Sequence, residues 1–147
     1  IQEVLIADDN LSAFMSKNHK LASKDKLSWS DLNDVNMAIF SESFMIHHYL
    51  VNKFEKENVR PHIKIKSRNW EYLLNSTENT DLITVHPSPS RNFAPMDNFV
   101  RIDFDDPINW EVILCRQKKS HHTRVENFVF DYICDYFKKS NKHCDSK

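Results

Sequence analysis

The sequence predicts an α/β fold with a mainly parallel sheet and helices on its faces. Three observations predict it. Short apolar or alternating runs of strand character are separated by helical patterns through the middle of the chain. Several of those runs end in hydroxyl residues that lead straight into a helix start. The chain closes on its strongest helical signal: Val125, Phe128, Val129, Tyr132, Ile133, Tyr136 and Phe137 recur at the spacing of one helix face. A length of 147 residues suits one domain, or two small lobes sharing a core.

The elements follow in order. Leu11 to Met15 alternates and predicts a strand; a polar stretch follows from Ser16 to Lys26. Ser28 stands as N-cap of a short helix, with Asp31 near its free donors. Met37-Ala38-Ile39-Phe40 predicts a buried strand. Ser43 is placed to cap the next helix, whose apolar residues are Phe44, Ile46, Tyr49, Leu50, Val51 and Phe54. Asn58 stops it, and Pro61 forbids its continuation. His62 to Lys66 alternates as a strand, and Ser67 or Asn69 caps a helix carrying Trp70, Leu73 and Leu74. Asp81 to Val85 is the next strand, stopped by His86-Pro87, and Pro87 to Pro95 predicts a loop. Phe99 to Ile102 and Trp110 to Arg116 are strands. Ser120 starts the last helix, Lys138-Lys139 ends it against the dipole, and the tail after Asn141 is expected to fray.

Composition narrows the function classes. Twenty Lys and Arg balance 21 Asp and Glu, a net charge of -1, which excludes a generally basic nucleic-acid-coating protein. No apolar run approaches the roughly 20 residues of a bilayer span. Gly is absent, where average usage of about 7% would give about ten. That excludes a P-loop and a Rossmann fingerprint, whose backbones approach phosphate without a Cβ. Asn, which tolerates left-handed turns, fills positions that Gly usually takes. Cys115, Cys134 and Cys144 are odd in number and lack CxxC spacing, so they read as free thiols, with Cys134 in the core. His47-His48 and His121-His122 are adjacent pairs, and helix neighbours project about 100° apart. No HExxH or Cys/His spacing exists, so no metal or cofactor is expected. Lys118, Lys119, His121, His122 and Arg124 read as a solvated helix start. No Ser-His-Asp, paired-carboxylate or activated-Cys arrangement stands out, so the chain is not expected to be an enzyme.

The order of elements also carries a resemblance. Asp9-Asn10-Leu11-Ser12-Ala13-Phe14-Met15, followed by Asn18-His19-Lys20-Leu21-Ala22, resembles the strand and "x-H-P-L-A" hallmark of LysR-type transcriptional regulators, with Lys20 in place of Pro. Leu27-Ser28-Trp29-Ser30-Asp31-Leu32 is similar to the family's "i-s-l-x-D-L". Phe54 to Asn58 and Arg60-Pro61-His62-Ile63 resemble "f-x-x-x-g-x-x-P-x-i", with Asn58 in place of Gly. Thr80 to Pro87 resembles "T-D-L-i-a-x-x-P", and the tail from Trp110 fits as well. The resemblance covers almost the whole chain.

It implies an effector-binding domain of periplasmic-binding-protein-like, two-lobed architecture. The second lobe, 17–109, would be nearly complete. The first lobe would be partial, with 1–16 and 110–147 supplying its remainder and the crossing strands Leu11–Ser16 and Trp110–Arg116. It further implies a cytoplasmic ligand sensor without catalysis, a small-molecule effector, and a homodimer or tetramer. DNA would be bound only through an N-terminal helix-turn-helix domain that has no counterpart here, and no membrane is involved. The alternative is a small solute-binding or carrier protein of the same architecture.

Parallel strands place their carboxyl ends along one edge, where ligands of open α/β sheets sit. The candidate effector residues are therefore Ser41, Ser43, Phe44, Ser67, Thr84 and His86. Capping explains the serines equally well, Phe44 suits the core, and His86 before Pro87 suits a surface turn. Two helix N-termini with Lys66 and Arg68 nearby favour a carboxylate, whereas Glu42 favours an amine; a small carboxylate is expected on balance.

Overall fold

The computed structural model describes residues 1–87, 98–119 and 121–141, without the side chains of residues 8 and 138–141. The elements are β1 (Gln2–Ser16), β2 (Lys26–Leu27), a 3-10 turn (Trp29–Leu32), β3 (Asn36–Phe40), α1 (Met45–Lys56), β4 (His62–Ser67), α2 (Trp70–Asn75), β5 (Ile83–Pro87), β6 (Phe99–Phe104), β7 (Asn109–Arg116) and α3 (Arg124–Asn141). The expected loop beyond Pro87, the Ser120 helix start, the Lys138-Lys139 side chains and the tail with Cys144 lie outside the described residues.

Among the described residues seven strands form one sheet, in the order β2-β6-β1-β5-β3-β4, with β7 also paired to β1. β3 runs parallel to β4 and β5, and β2 runs parallel to β6. β1 is antiparallel to both β5 and β6. The sheet is thus mixed: two parallel sets meet on one reversed strand. The chain divides into two compact units, Ile1–Asp9 with Asn109–Lys147, and Asn10–Ile108. The segment expected to cross, Leu11–Ser16, is the second half of a strand of 15 residues and lies in the larger unit.

In the larger unit, Leu11 to Ser16 are all buried, between β5 on one side and β6 on the other. Register sorts the faces. Phe14 lies opposite Thr84 and Arg101, and packs with Phe99 and with Leu74 of α2. Ala13 lies opposite Val85 and Ile102 and points the other way, as does Phe104. There the Trp29 ring stacks on Phe104 at 4.0 Å between centroids and meets the edge of Phe54 of α1 at 6.1 Å. Lys53 of α1 lies 5.6 Å over Trp29 and is paired with Glu57 and Asp106. The Trp29 indole N–H donates to the Asp106 carbonyl at 2.8 Å.

Helix ends show how a chain without Gly manages. α1 closes in a Schellman motif: Val59 N–H donates to Phe54 O at 2.8 Å and Asn58 N–H to Glu55 O at 3.1 Å. Asn58 takes φ 54° at the position where Gly is commonest, as expected from the sequence. Asp34 and Asn79 adopt the same left-handed region. Trp29–Leu32 is a single 3-10 turn, and the Asp31 carboxylate accepts from the Ser28 N–H at 2.9 Å. The start of α1 corrects an expectation. Phe44, not Ser43, is the N-cap residue, and no side chain caps it. Asn69, not Ser67, caps α2 by accepting from Tyr72 N–H at 3.1 Å. β5 runs through His86 to Pro87 instead of stopping before them; Pro87 is its last residue, a position that requires no further ladder donor.

The smaller unit consists of the start of β1, β7 and α3. Cys134 is buried as expected, together with Phe130. Of the α3 stripe, Val125, Phe128, Val129, Tyr132 and Tyr136 are exposed, and Ile133 and Phe137 are half-buried.

Phe14 touches α2, β6 and His86, so its truncation leaves a cavity at the centre of the larger unit. Phe14→Ala is expected to cost about 3–5 kcal/mol in urea unfolding. Tyr72→Ala, on the exposed face of α2, is expected to stay within about 0.5 kcal/mol of the parent.

Candidate functional site

The parallel set β3, β4 and β5 ends along one edge, at Phe40, Ser67 and Pro87. Antiparallel β1 enters the same edge, with Leu11 opposite Pro87. Ser41 N–H donates to the Ser67 carbonyl at 3.0 Å, which carries the β3–β4 ladder one step beyond β3. Ser41 Oγ and Ser43 Oγ lie 3.0 Å apart. Ser67 Oγ accepts from Asn69 N–H at 3.1 Å. Ser41 and Ser67 are half-buried and Ser43 is exposed. The three serine hydroxyls therefore follow the ends of two adjacent strands.

Thr84 and His86 lie beneath this edge. Thr84 is fully buried and His86 is 3% exposed, so His86 is a sheet residue and not the surface turn expected from His86-Pro87. Its backbone is extended in β5, opposite Ser12 of β1. Thr84 Oγ1 and His86 Nε2 share a hydrogen bond of 3.0 Å. The His86 ring sits edge-on to Phe14 at 5.7 Å and to Phe40 at 5.1 Å. Phe40 meets Phe44 at 5.4 Å. One aromatic run thus links the core to the turn carrying Ser41 and Ser43. Burial pushes the His86 pKa down to about 4, so the ring is neutral at pH 7.

Two residues that hold this edge escaped the sequence reading. His47 Nδ1–H donates to the Phe40 carbonyl at 2.8 Å, and His48 Nε2–H donates to the Glu42 carbonyl at 2.9 Å. The adjacent histidines clamp the turn from Phe40 to Phe44 from the first two turns of α1. Their pairing could have signalled this, since two ring donors just inside an uncapped helix face back towards the loop that feeds it. The electrostatics also differ from the simple expectation. Lys66 is paired with Glu42, which holds the Glu42 carboxyl below its usual range. Arg68 is exposed and has no ion-pair partner among the described residues. α1 presents a full-length N-terminus at this edge, whereas α2 has only six residues. No three His, Cys, Asp or Glu among the described residues are grouped to hold a metal ion. No helix among them is long and apolar enough to cross a membrane.

A mixed α/β sheet whose parallel strands end in hydroxyl turns is the frame of a ligand-binding domain, and the sequence match specifies which. Residues 1–136 match the family model "LysR substrate binding domain". The chain belongs to that family, the effector-binding regulatory domain of LysR-type transcription regulators, which is not an enzyme family. No curated protein matches the sequence. Among solved structures, the chain is similar to the regulatory domain of CcmR from Synechocystis PCC6803, solved in complex with 2-PG, at 16% identity and TM-score 0.82. That match covers 93% of this chain and 67% of the other. It is similar to HinK, a LysR family transcriptional regulator from Pseudomonas aeruginosa, at 17% identity and TM-score 0.74, covering 92% of this chain and 48% of that one. A third match is the effector binding domain of QuiR in complex with shikimate, at 18% identity and TM-score 0.70, covering 94% and 66%. The chain therefore spans about two thirds of these regulatory domains and about half of HinK.

The buried His86 makes stability depend on pH. Its folded pKa of about 4 lies below the ordinary 6.5, so between them the unfolded chain binds the extra proton. Its contribution is fully present above about pH 6.5 and falls by up to about 3 kcal/mol as pH drops to about 4. Urea unfolding at about pH 7 and about pH 4.5 should show this loss. A folded His86→Leu variant should show a shallower dependence over the same window.

Proposed function

We propose that this chain senses a small carboxylate through the edge formed by the ends of β3, β4 and β5. Ser41, Ser43 and Ser67 supply hydroxyl donors, and the first free N–H groups of α1 add partial positive charge. Phe44 offers an apolar wall. Thr84 and His86 act from beneath as positioning residues, holding Phe40 and the turn that follows it. The observation that carries this reading is the convergence of Ser41, Ser43 and Ser67 at one strand edge beside the N-terminus of a 12-residue helix. CcmR and QuiR were solved with small ligands, 2-PG and shikimate, which supports a ligand of similar size. In the longer regulator, effector binding shifts the balance between two arrangements of the domain and so alters the grip on DNA of a cytoplasmic homodimer or tetramer, through a separate helix-turn-helix domain.

A thermal-shift titration of the chain with shikimate and with 2-PG tests this. A ligand that binds the folded state raises the melting temperature as concentration passes Kd. Ser43→Ala with Ser67→Ala should weaken binding of a stabilising ligand by about thirtyfold, since each removes a hydrogen bond worth about 1 kcal/mol. Neither side chain caps its helix, so the double variant is expected to fold. Unchanged affinity in that folded variant would remove the edge as the site.

A further inference from the structure

The larger unit holds a concavity at the far end of its parallel strands from the serine turns, with a volume of about 450 Å³. That is within the range of small-molecule sites, roughly 300–1,000 Å³. Its walls are the last residue of β1 with the turn that follows, the first residue of β3 with the two before it, and the segment just before β5. β3 runs from this concavity to the serine turns, and its length of roughly 13 Å separates the two. Val35 and His19 form buried lining. His19 brings no charge. Its Nδ1 accepts from Leu21 N–H at 3.1 Å, and burial, with Lys20 beside it, pushes its pKa below the ordinary 6.5.

The charges of this lining are left open. Lys20 is its one ammonium, and among the described residues no carboxylate lies within ion-pair distance of it. Asp81 accepts from the neutral Asn36 amide at 2.6 Å and makes no ion pair among the described residues. Asp34 lies 3.6 Å from His62. An ammonium and a carboxylate thus share one concave space of ligand size without closing on each other. Three asparagine amides stand among them, each offering both donors and an acceptor. Charge-assisted hydrogen bonds are about twice as strong as neutral ones, so a ligand that carries both charges gains at both ends. A plain amine would leave Lys20 unmatched, and a dicarboxylate would meet Asp34 and Asp81.

We propose that this concavity binds a small zwitterion of the α-amino-acid class, its carboxylate on Lys20 and its ammonium on Asp81. The asparagine amides bond its polar body. This site shares no residue with the serine edge and is independent of the reading proposed for it.

L-Serine is the probe, because ethanolamine and β-hydroxypropanoate are the same molecule without its carboxylate and without its ammonium. Titration into the isotopically labelled chain should give saturable shifts at the backbone amides of Lys20, Asn36 and Asp81, and none at those of Ser41, Ser43 and Ser67. Ethanolamine and β-hydroxypropanoate should each bind at least about tenfold more weakly, since each forfeits one charged contact. Lys20→Gln and Asp81→Asn should each weaken L-serine binding by a similar factor. Both positions are exposed, and the amide introduced at 81 keeps an acceptor for Asn36, so both variants are expected to fold. Absence of saturable shifts at the three amides overturns the proposal. So do shifts that are equal in the parent and in folded Lys20→Gln. Ethanolamine binding as tightly as L-serine would mark only an acidic surface, and the proposal fails.

Discussion

The larger unit depends on the second half of β1. Between Leu11 and Ser16 this strand is buried throughout and paired with β5 and β6, so its residues are shut off from water. Such a strand admits no charge and no change of register, because a slip of one residue would exchange Phe14 for Ala13 in the core. Its two polar members show the cost of that burial and how it is met. Ser12 donates its hydroxyl to Asp103 at 2.7 Å, and Ser16 accepts from Asn18 N–H at 3.3 Å. β1 also sets the direction of everything beside it. β5 and β6 both run against it, and each brings its own parallel partners.

That arrangement decides where the candidate edge arises. Because β3, β4 and β5 run together, their carboxyl ends meet, and because β1 opposes them, it closes the same edge with its incoming residues. The serine turns are thus consequences of topology. What holds their shape is a pair of ring donors, buried His47 and exposed His48, together with the Phe14–His86–Phe40–Phe44 run. Neutrality suits His86 in this role. A charged His86 would need solvation that its position denies, and a neutral ring packs as an aromatic while still bonding Thr84.

Much of this was legible in the sequence, for identifiable reasons. Period-two alternation in His62–Lys66 and the apolar run Met37–Phe40 marked strands because each has a distinct relation to solvent. Asn58 marked a helix end because few residues other than Gly accept its backbone geometry. Cys134 read as core from helical spacing alone. The misreadings have equally local causes. Ser43 looked like a cap because its residue type favours capping, but the chain turns one residue later and its hydroxyl bonds Ser41 instead. His86-Pro87 looked like a turn because proline ends many strands, yet an edge position tolerates it. The reversal of β1 was invisible, since an antiparallel and a parallel strand bury the same side chains. The α3 stripe was correctly periodic, but periodicity says that a face is apolar and not what covers it.

β4 bears on how the folded domain stays in solution. Among the described residues it pairs only with β3, which leaves a row of backbone donors and acceptors open to any other extended chain. Its half-buried residues Ile63 and Ile65 are those of an aggregation-prone strand. The alternate positions His62, Lys64 and Lys66 are exposed. A second copy of β4 laid alongside would bring Lys64 against its own kind, while Lys66 and His62 already face Glu42 and Asp34. Lys64 is thus the gatekeeper of this edge, and replacing it by an apolar residue would remove the charge that opposes edge-to-edge pairing.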